Sequence, residues 1–208
     1  TLRSDYLNKI NLASEHSQSA RKNMGCSNIA HAFASCDKAQ QGDAADGADV
    51  IGIISAYNDM LSAHAPLKDY PDVIKESSLK RNAIARVAGG VPAMCDGITQ
   101  GEPGMELSLF SRDVIALSTA VGLSHNVFDA AICLGVCDKI VPGMVIGSLS
   151  FGHLPLAFIP AGPMPTGISN SDKNEVRKKF ANGEVDRSTL ISTEQAAYHS
   201  SGTCTFYG

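Results

Sequence analysis

Residues 130–143 read AAICLGVCDKIVPG: an apolar run closing on Gly135, then Val136, then the polar group Cys137-Asp138-Lys139, then a second apolar run broken by Pro142 and Gly143. The first run is short and bounded by glycine, which predicts a strand over 130–135. The second predicts a helix over 139–150. A thiol, a carboxylate and an amine therefore stand where a strand hands over to a helix. Two readings are open there: Asp138 caps the helix beside a buried thiol, or the three side chains belong to a metal site.

The same unit recurs on both sides of this stretch. Asp49–Ser55 (DVIGIIS) is a buried-strand pattern, and Pro71 followed by 72–87 predicts a helix with proline in its first turn. Strand 90–94, helix 105–121 and strand 155–160 complete the alternation, and 170–200 is helical again with a charged, solvent-facing stretch at 172–182. Strands alternating with helices at this pitch predict an α/β fold, a mostly parallel sheet with helices on both faces. Ahead of it, 1–49 is polar, with helices expected at 5–23 and 27–35 and a loop at 40–49. We divide the chain into a helical N-terminal extension, 1–49, and an α/β metal-binding domain, 50–208. Because it opens at Thr1 without methionine and stops at Gly208, at the end of the string SGTCTFYG, the chain is expected to be a fragment.

Composition removes several classes. Net charge is -4, tryptophan is absent and aromatics make up 6% of the 208 residues, so neither a basic face nor a stacking platform for nucleic acid is expected. Mean hydropathy is -0.01 and no apolar window is long enough to span a bilayer, nor does the start of the chain resemble a secretory signal. Six scattered cysteines do not make a disulfide scaffold in a chain of this size. A cytoplasmic protein with thiols left for metal binding is the expectation.

In an open parallel sheet the ligand sits beyond the carboxyl ends of the strands. The polar oddities fall there: Ser55-Ala56-Tyr57-Asn58-Asp59, Cys95-Asp96-Gly97, Cys137-Asp138-Lys139 and Ala161-Gly162-Pro163. Two Cys-Asp pairs at equivalent positions supply thiolates suited to an iron–sulfur cluster and carboxylates suited to a hard cation such as Mg²⁺. Cys204, between Gly202 and Gly208, is the candidate third thiolate. Zinc fits poorly, since only Cys133 and Cys137 are spaced as a zinc pair and Cys133 lies inside an apolar strand. Cys26, Cys36 and Cys133 are read as core or inert thiols. The loop Gly97–Met105 (GITQGEPGM) is either a substrate loop or a plain turn, because it matches no phosphate-binding fingerprint. Among the histidines His64, in a loop after the first strand, is the candidate substrate contact, together with Asn58.

The strings MCDGITQGEPGMELSLFSRDVIA (94–116), CDKIVPGM (137–144), FIPAGPM (158–164) and SGTCTFYG (201–208) resemble the iron–sulfur dihydroxy-acid and sugar-acid dehydratases, and the likeness extends to SAYNDMLSAH (55–64) and CSNIAHAFA (26–34). That resemblance implies an N-terminal αβα domain and a separate β-rich C-terminal domain beyond Gly208. It implies that Cys137 and Cys204 bind a 4Fe–4S cluster, that Asp96 and Asp138 bind Mg²⁺, and that Lys139 joins them, as a carbamate in some relatives. The dihydroxy-acid branch has Pro-Cys-Asn where this chain has Ser62-Ala63-His64, and serine where this chain has Cys95. The third thiolate is thus expected at Cys95, which favours the phosphogluconate branch. The activity implied is dehydration of 6-phospho-D-gluconate to 2-dehydro-3-deoxy-6-phosphogluconate by a homodimer, with the base in the C-terminal part. The rival readings are dehydration of another sugar acid or dihydroxy acid, and a non-catalytic α/β binding module with structural cysteines.

Overall fold

Strand β1 (Asp49–Ser55) takes its place in the sheet from its side chains: Val50, Ile53 and Ile54 are all fully buried, so neither face of the strand meets water. A strand apolar on both sides belongs inside a parallel sheet covered on both faces. The structure, a computed structural model, describes residues 1–45, 47–163 and 167–197. In it β1 is flanked by β2 (Ala83–Gly90) and β3 (Ala130–Leu134), with β4 (Leu156–Ile159) outside β3; the order is β2-β1-β3-β4 and every pairing is parallel. The helices in chain order are α1 (Leu2–Asn23), α2 (Cys26–Phe33), α3 (Lys38–Ala45), α4 (Tyr70–Leu79), α5 (Asp96–Thr99), α6 (Ser111–Leu123), α7 (Ile140–Leu149), α8 (Asn170–Ala181) and α9 (Arg187–Gln195). This is the α/β fold that the alternation predicts.

Side-chain alternation along β1 divides the core. Ile54 faces Ile115, Leu123, Ile140 and Met144 from α6 and α7. Ile53 faces the other way, onto Leu67, Ala85, Leu134 and Val136, with Ile74 of α4 alongside. Helices α6 and α7 approach so closely that a Cβ on Gly143 would lie 2.7 Å from Ile115. The N-terminal helices attach to the same body: Tyr6 Oη donates to the Leu149 carbonyl at 3.0 Å, Arg21 pairs with Asp129 at 3.0 Å, and Phe33 and Ala44 pack with Val50 and Ile84.

Four sequence expectations are corrected. The helix expected over 72–87 stops at Leu79, and the strand expected over 90–94 is displaced to Ala83–Gly90. Asn82 breaks the helix by entering the left-handed region at φ 55°, after which Ala83 pairs with Asp49. The alanine-rich AIARVA segment suits a helix, but an open edge on a buried strand overrides that propensity. Likewise the loop expected at 40–49 holds most of α3, opened by Asp37, whose carboxylate accepts from the Gln40 amide at 2.8 Å. The helix expected over 105–121 is split, with a 3₁₀ turn at Pro103–Leu107 ahead of α6. Among the described residues no helix is long and apolar enough to cross a membrane.

Candidate functional site

Because all four strands run the same way, their carboxyl ends deliver their loops to one edge of the sheet. The β3–α7 loop is the most constrained of these. Gly135 N extends the β3–β4 ladder by donating to Ile159 O at 3.2 Å, and two residues later Cys137 turns into the left-handed region at φ 95°. For a residue with a Cβ that conformation costs roughly 1–2 kcal/mol. It is held from the far side by α7, where Val141 N donates to Cys137 O at 3.2 Å and Gly143 N to Lys139 O at 3.0 Å.

Lys139 is the chemical centre. Its side chain is 1% exposed, and its ammonium donates to Asp96 at 2.7 Å and to Asp138 at 3.0 Å. Asp96 belongs to the loop after β2, so the ion pair ties together the two strand ends that flank β1. Ser108 Oγ fixes the other oxygen of Asp96 from 2.6 Å, while the Cys137 thiol donates to Asp138 at 3.2 Å. Burial works against ionisation of Asp138, yet the hydrogen bonds and charge of Lys139 together with the Cys137 thiol outweigh it and hold the carboxyl below its ordinary range. For Lys139 burial again opposes the charge, and the two carboxylates reverse the balance, so the ammonium binds its proton more firmly than usual.

Asp96, Asp138, Lys139 and Cys137 are thus in one cluster. Cys95 is half-buried at the start of α5, where its carbonyl accepts from Ile98 N at 3.0 Å and Thr99 N at 3.2 Å. Asn58 is half-buried in the loop after β1, its Oδ1 taken by the Met60 amide at 2.9 Å. His64 is not at the surface: it is 2% exposed, beneath the β3–α7 loop, with Nε2 on the Val136 carbonyl at 3.0 Å. Cys204 lies outside the described residues. Cys133 is fully buried, 3.9 Å from the Ser148 hydroxyl, and none of the five described cysteines is in a disulfide. Sequence reasoning passed over Ser108; its only signal is the Gly- and Pro-marked loop 97–105, which returns the chain to Asp96.

The donor set can be tested against the groups that the resemblance implies. Two carboxylates from different loops converge on one cationic centre, which suits a Mg²⁺-type cation held by one or two carboxylates and several waters. Among the described residues no third His, Cys, Asp or Glu joins them as a metal-binding group. Cys95 and Cys137 each precede one of these carboxylates in sequence, and the Cys137 thiol reaches Asp138 at 3.2 Å.

A parallel α/β unit in which two Cys-Asp pairs following neighbouring strands meet on one buried lysine gathers its candidate chemistry at a single edge of the sheet. The chain belongs to a known family: a profile described as Dihydroxy-acid/6-phosphogluconate dehydratase N-terminal matches residues 49–208. It is similar to the phosphogluconate dehydratase of Rhizobium meliloti (strain 1021), 56% identical over 207 residues, covering 99% of this chain and 34% of that protein. The phosphogluconate dehydratase of Escherichia coli (strain K12) is 54% identical over 210 residues, with 99% and 34% covered. A dihydroxy-acid dehydratase of Akkermansia muciniphila is 37% identical over 161 residues, with 74% and 28% covered. The chain therefore spans about a third of the length of the curated relatives it matches.

Proposed function

We propose that this chain is the cofactor-holding N-terminal part of a hydro-lyase that removes water from 6-phospho-D-gluconate to give 2-dehydro-3-deoxy-6-phosphogluconate, the dehydration of the Entner–Doudoroff route. The observation that carries the substrate class is the gap in similarity: 54% and 56% identity over nearly the whole chain to proteins named phosphogluconate dehydratase, against 37% over a shorter stretch to one named dihydroxy-acid dehydratase.

In this reading Cys95, Cys137 and Cys204 hold a 4Fe–4S cluster, and Asp96 and Asp138 hold Mg²⁺ with Lys139 beside it. A cluster with one iron left open by the protein supplies a Lewis acid for departure of the C3 hydroxyl. The residues of the chain do the positioning. Ser108 orients Asp96, the buried ammonium of Lys139 holds both carboxylates aimed at one point, and the left-handed turn at Cys137 presents thiol and carboxylate together. Loss of the C2 proton needs a base, which we place in the part of the protein that follows this chain. Homodimer formation and a cytoplasmic location belong to the same proposal; five described cysteines without a disulfide suit a reducing compartment.

Anaerobically purified full-length protein, offered 6-phosphogluconate, gluconate and a branched 2,3-dihydroxy acid in parallel, tests this reading through formation of the 2-keto product. Turnover of the phosphorylated acid far above the other two is expected. Preference for either of the others overturns the substrate assignment.

A further inference from the structure

The Val136 carbonyl belongs to the peptide unit that carries the Cys137 nitrogen, so whatever holds that carbonyl restrains ψ of Val136 and φ of Cys137 together. One side chain does so. His64 Nε2 lies 3.0 Å from Val136 O, across 72 residues of sequence. A carbonyl only accepts, so Nε2 carries a proton in this contact, and burial of the ring disfavours a second proton on Nδ1. Consistent with that, Nδ1 is buried and has no hydrogen-bond partner among the described residues.

The histidine itself has little freedom. Leu61, Ala63, His64 and Leu67 are 3%, 8%, 2% and 0% exposed. Their segment is closed by backbone bonds from His64 N and Ala65 N to Leu61 O at 2.9 and 3.0 Å, and from Leu67 N to His64 O at 3.1 Å. The imidazole is therefore mounted on a rigid turn after β1, next to the strand whose loop it touches. Above it, Cys137 holds a backbone conformation that a cysteine does not choose unaided.

We propose that His64 is a positioning residue: its Nε2–H locks the Val136–Cys137 peptide and thereby sets the left-handed turn that presents Cys137, Asp138 and Lys139 at the strand edge. The role differs from direct contact with substrate and does not depend on the dehydratase reading, because it concerns the shape of the loop in the metal-free protein.

The test uses metal-free full-length protein carrying His64→Leu, which removes the donor, or His64→Gln, whose amide N–H restores it. Iodoacetamide labelling of Cys137, followed by peptide mass mapping, reads the loop without any activity assay. In His64→Leu the turn relaxes and labelling is expected to rise about tenfold, the scale of one buried hydrogen bond, while His64→Gln stays near wild type. A cooperatively folded His64→Leu protein that labels at the wild-type rate overturns the proposal, as does a rise equal in both variants. Should His64→Leu fail to fold, imidazole ¹⁵N spectra of the wild-type protein decide: a proton on Nε2 with slow exchange supports the lock, and a proton on Nδ1 overturns it.

Discussion

The Lys139 ammonium lies 2.7 Å from Asp96 Oδ2, joining the loop after β3 to the loop after β2 across the strand between them. With Asp138 as second acceptor, one buried cation bridges two carboxylates that would otherwise repel each other. Replacing Lys139 by Met should destabilise the protein by about 1–3 kcal/mol, below the range for a fully buried pair because solvent screens the carboxylates, which are more than a third exposed. Denaturant unfolding measures this. The same variant should gain more stability from added Mg²⁺ than wild type does, since the vacated carboxylates are then open to the ion; an equal gain in both proteins would sink the idea that the two carboxylates form a cation site.

The thiols give a second expectation. Cys137→Ser and Cys95→Ser, each made in the full-length protein and purified without oxygen, should lose iron and acid-labile sulfide together. Cys133→Ser should keep both, because that thiol is buried among apolar side chains beside Ser148. Full iron content in Cys95→Ser would remove Cys95 from the proposed ligand set.

Why some of this was readable in sequence and some was not has a physical basis. β1, β3 and β4 are legible as short apolar runs, with Gly135 marking the end of β3 and Pro155 and Pro160 the bounds of β4. β2 is misread because Ala83–Val87 carries helix-forming alanines, and the pairing partner that decides its conformation lies more than thirty residues away in sequence. Of the site, Asp96, Asp138, Lys139 and Cys137 stand out as polar residues after strands. The burial of His64 and the grip of Ser108 on Asp96 do not, since both depend on how loops from different strands stack.

Stability should fall on mild acidification. Burial holds the His64 ring below the ordinary value of 6.5 even though its bond to Val136 pulls the other way, and burial does the same for His153. Between those lowered values and 6.5 the unfolded chain binds more protons than the folded one, so stability rises with pH through that window and is lost below it. The urea midpoint at about pH 5.5 should lie under that at about pH 7.5, and His64→Gln should flatten part of the slope. A midpoint that does not fall, or a slope untouched by the variant, contradicts the assignment.

Helix α6 supplies the last expectation. Phe110, Val114, Leu117 and Val121 recur at i, i+4, i+7 and i+11 and are 59%, 37%, 67% and 58% exposed, while Ile115, Thr119 and Leu123 of the same helix are buried. A helix apolar on both its inner and outer faces has a second surface to cover. An uncharged stripe is complementary to itself, as a two-fold contact requires, so we expect a second copy to pack there. Light scattering on the full-length protein should give the mass of two chains for wild type and of one chain for Leu117→Glu. A wild-type protein already at the mass of one chain would exclude the dimer. A Leu117→Glu protein that keeps the mass of two but unfolds at lower denaturant would assign the stripe to the remainder of its own chain.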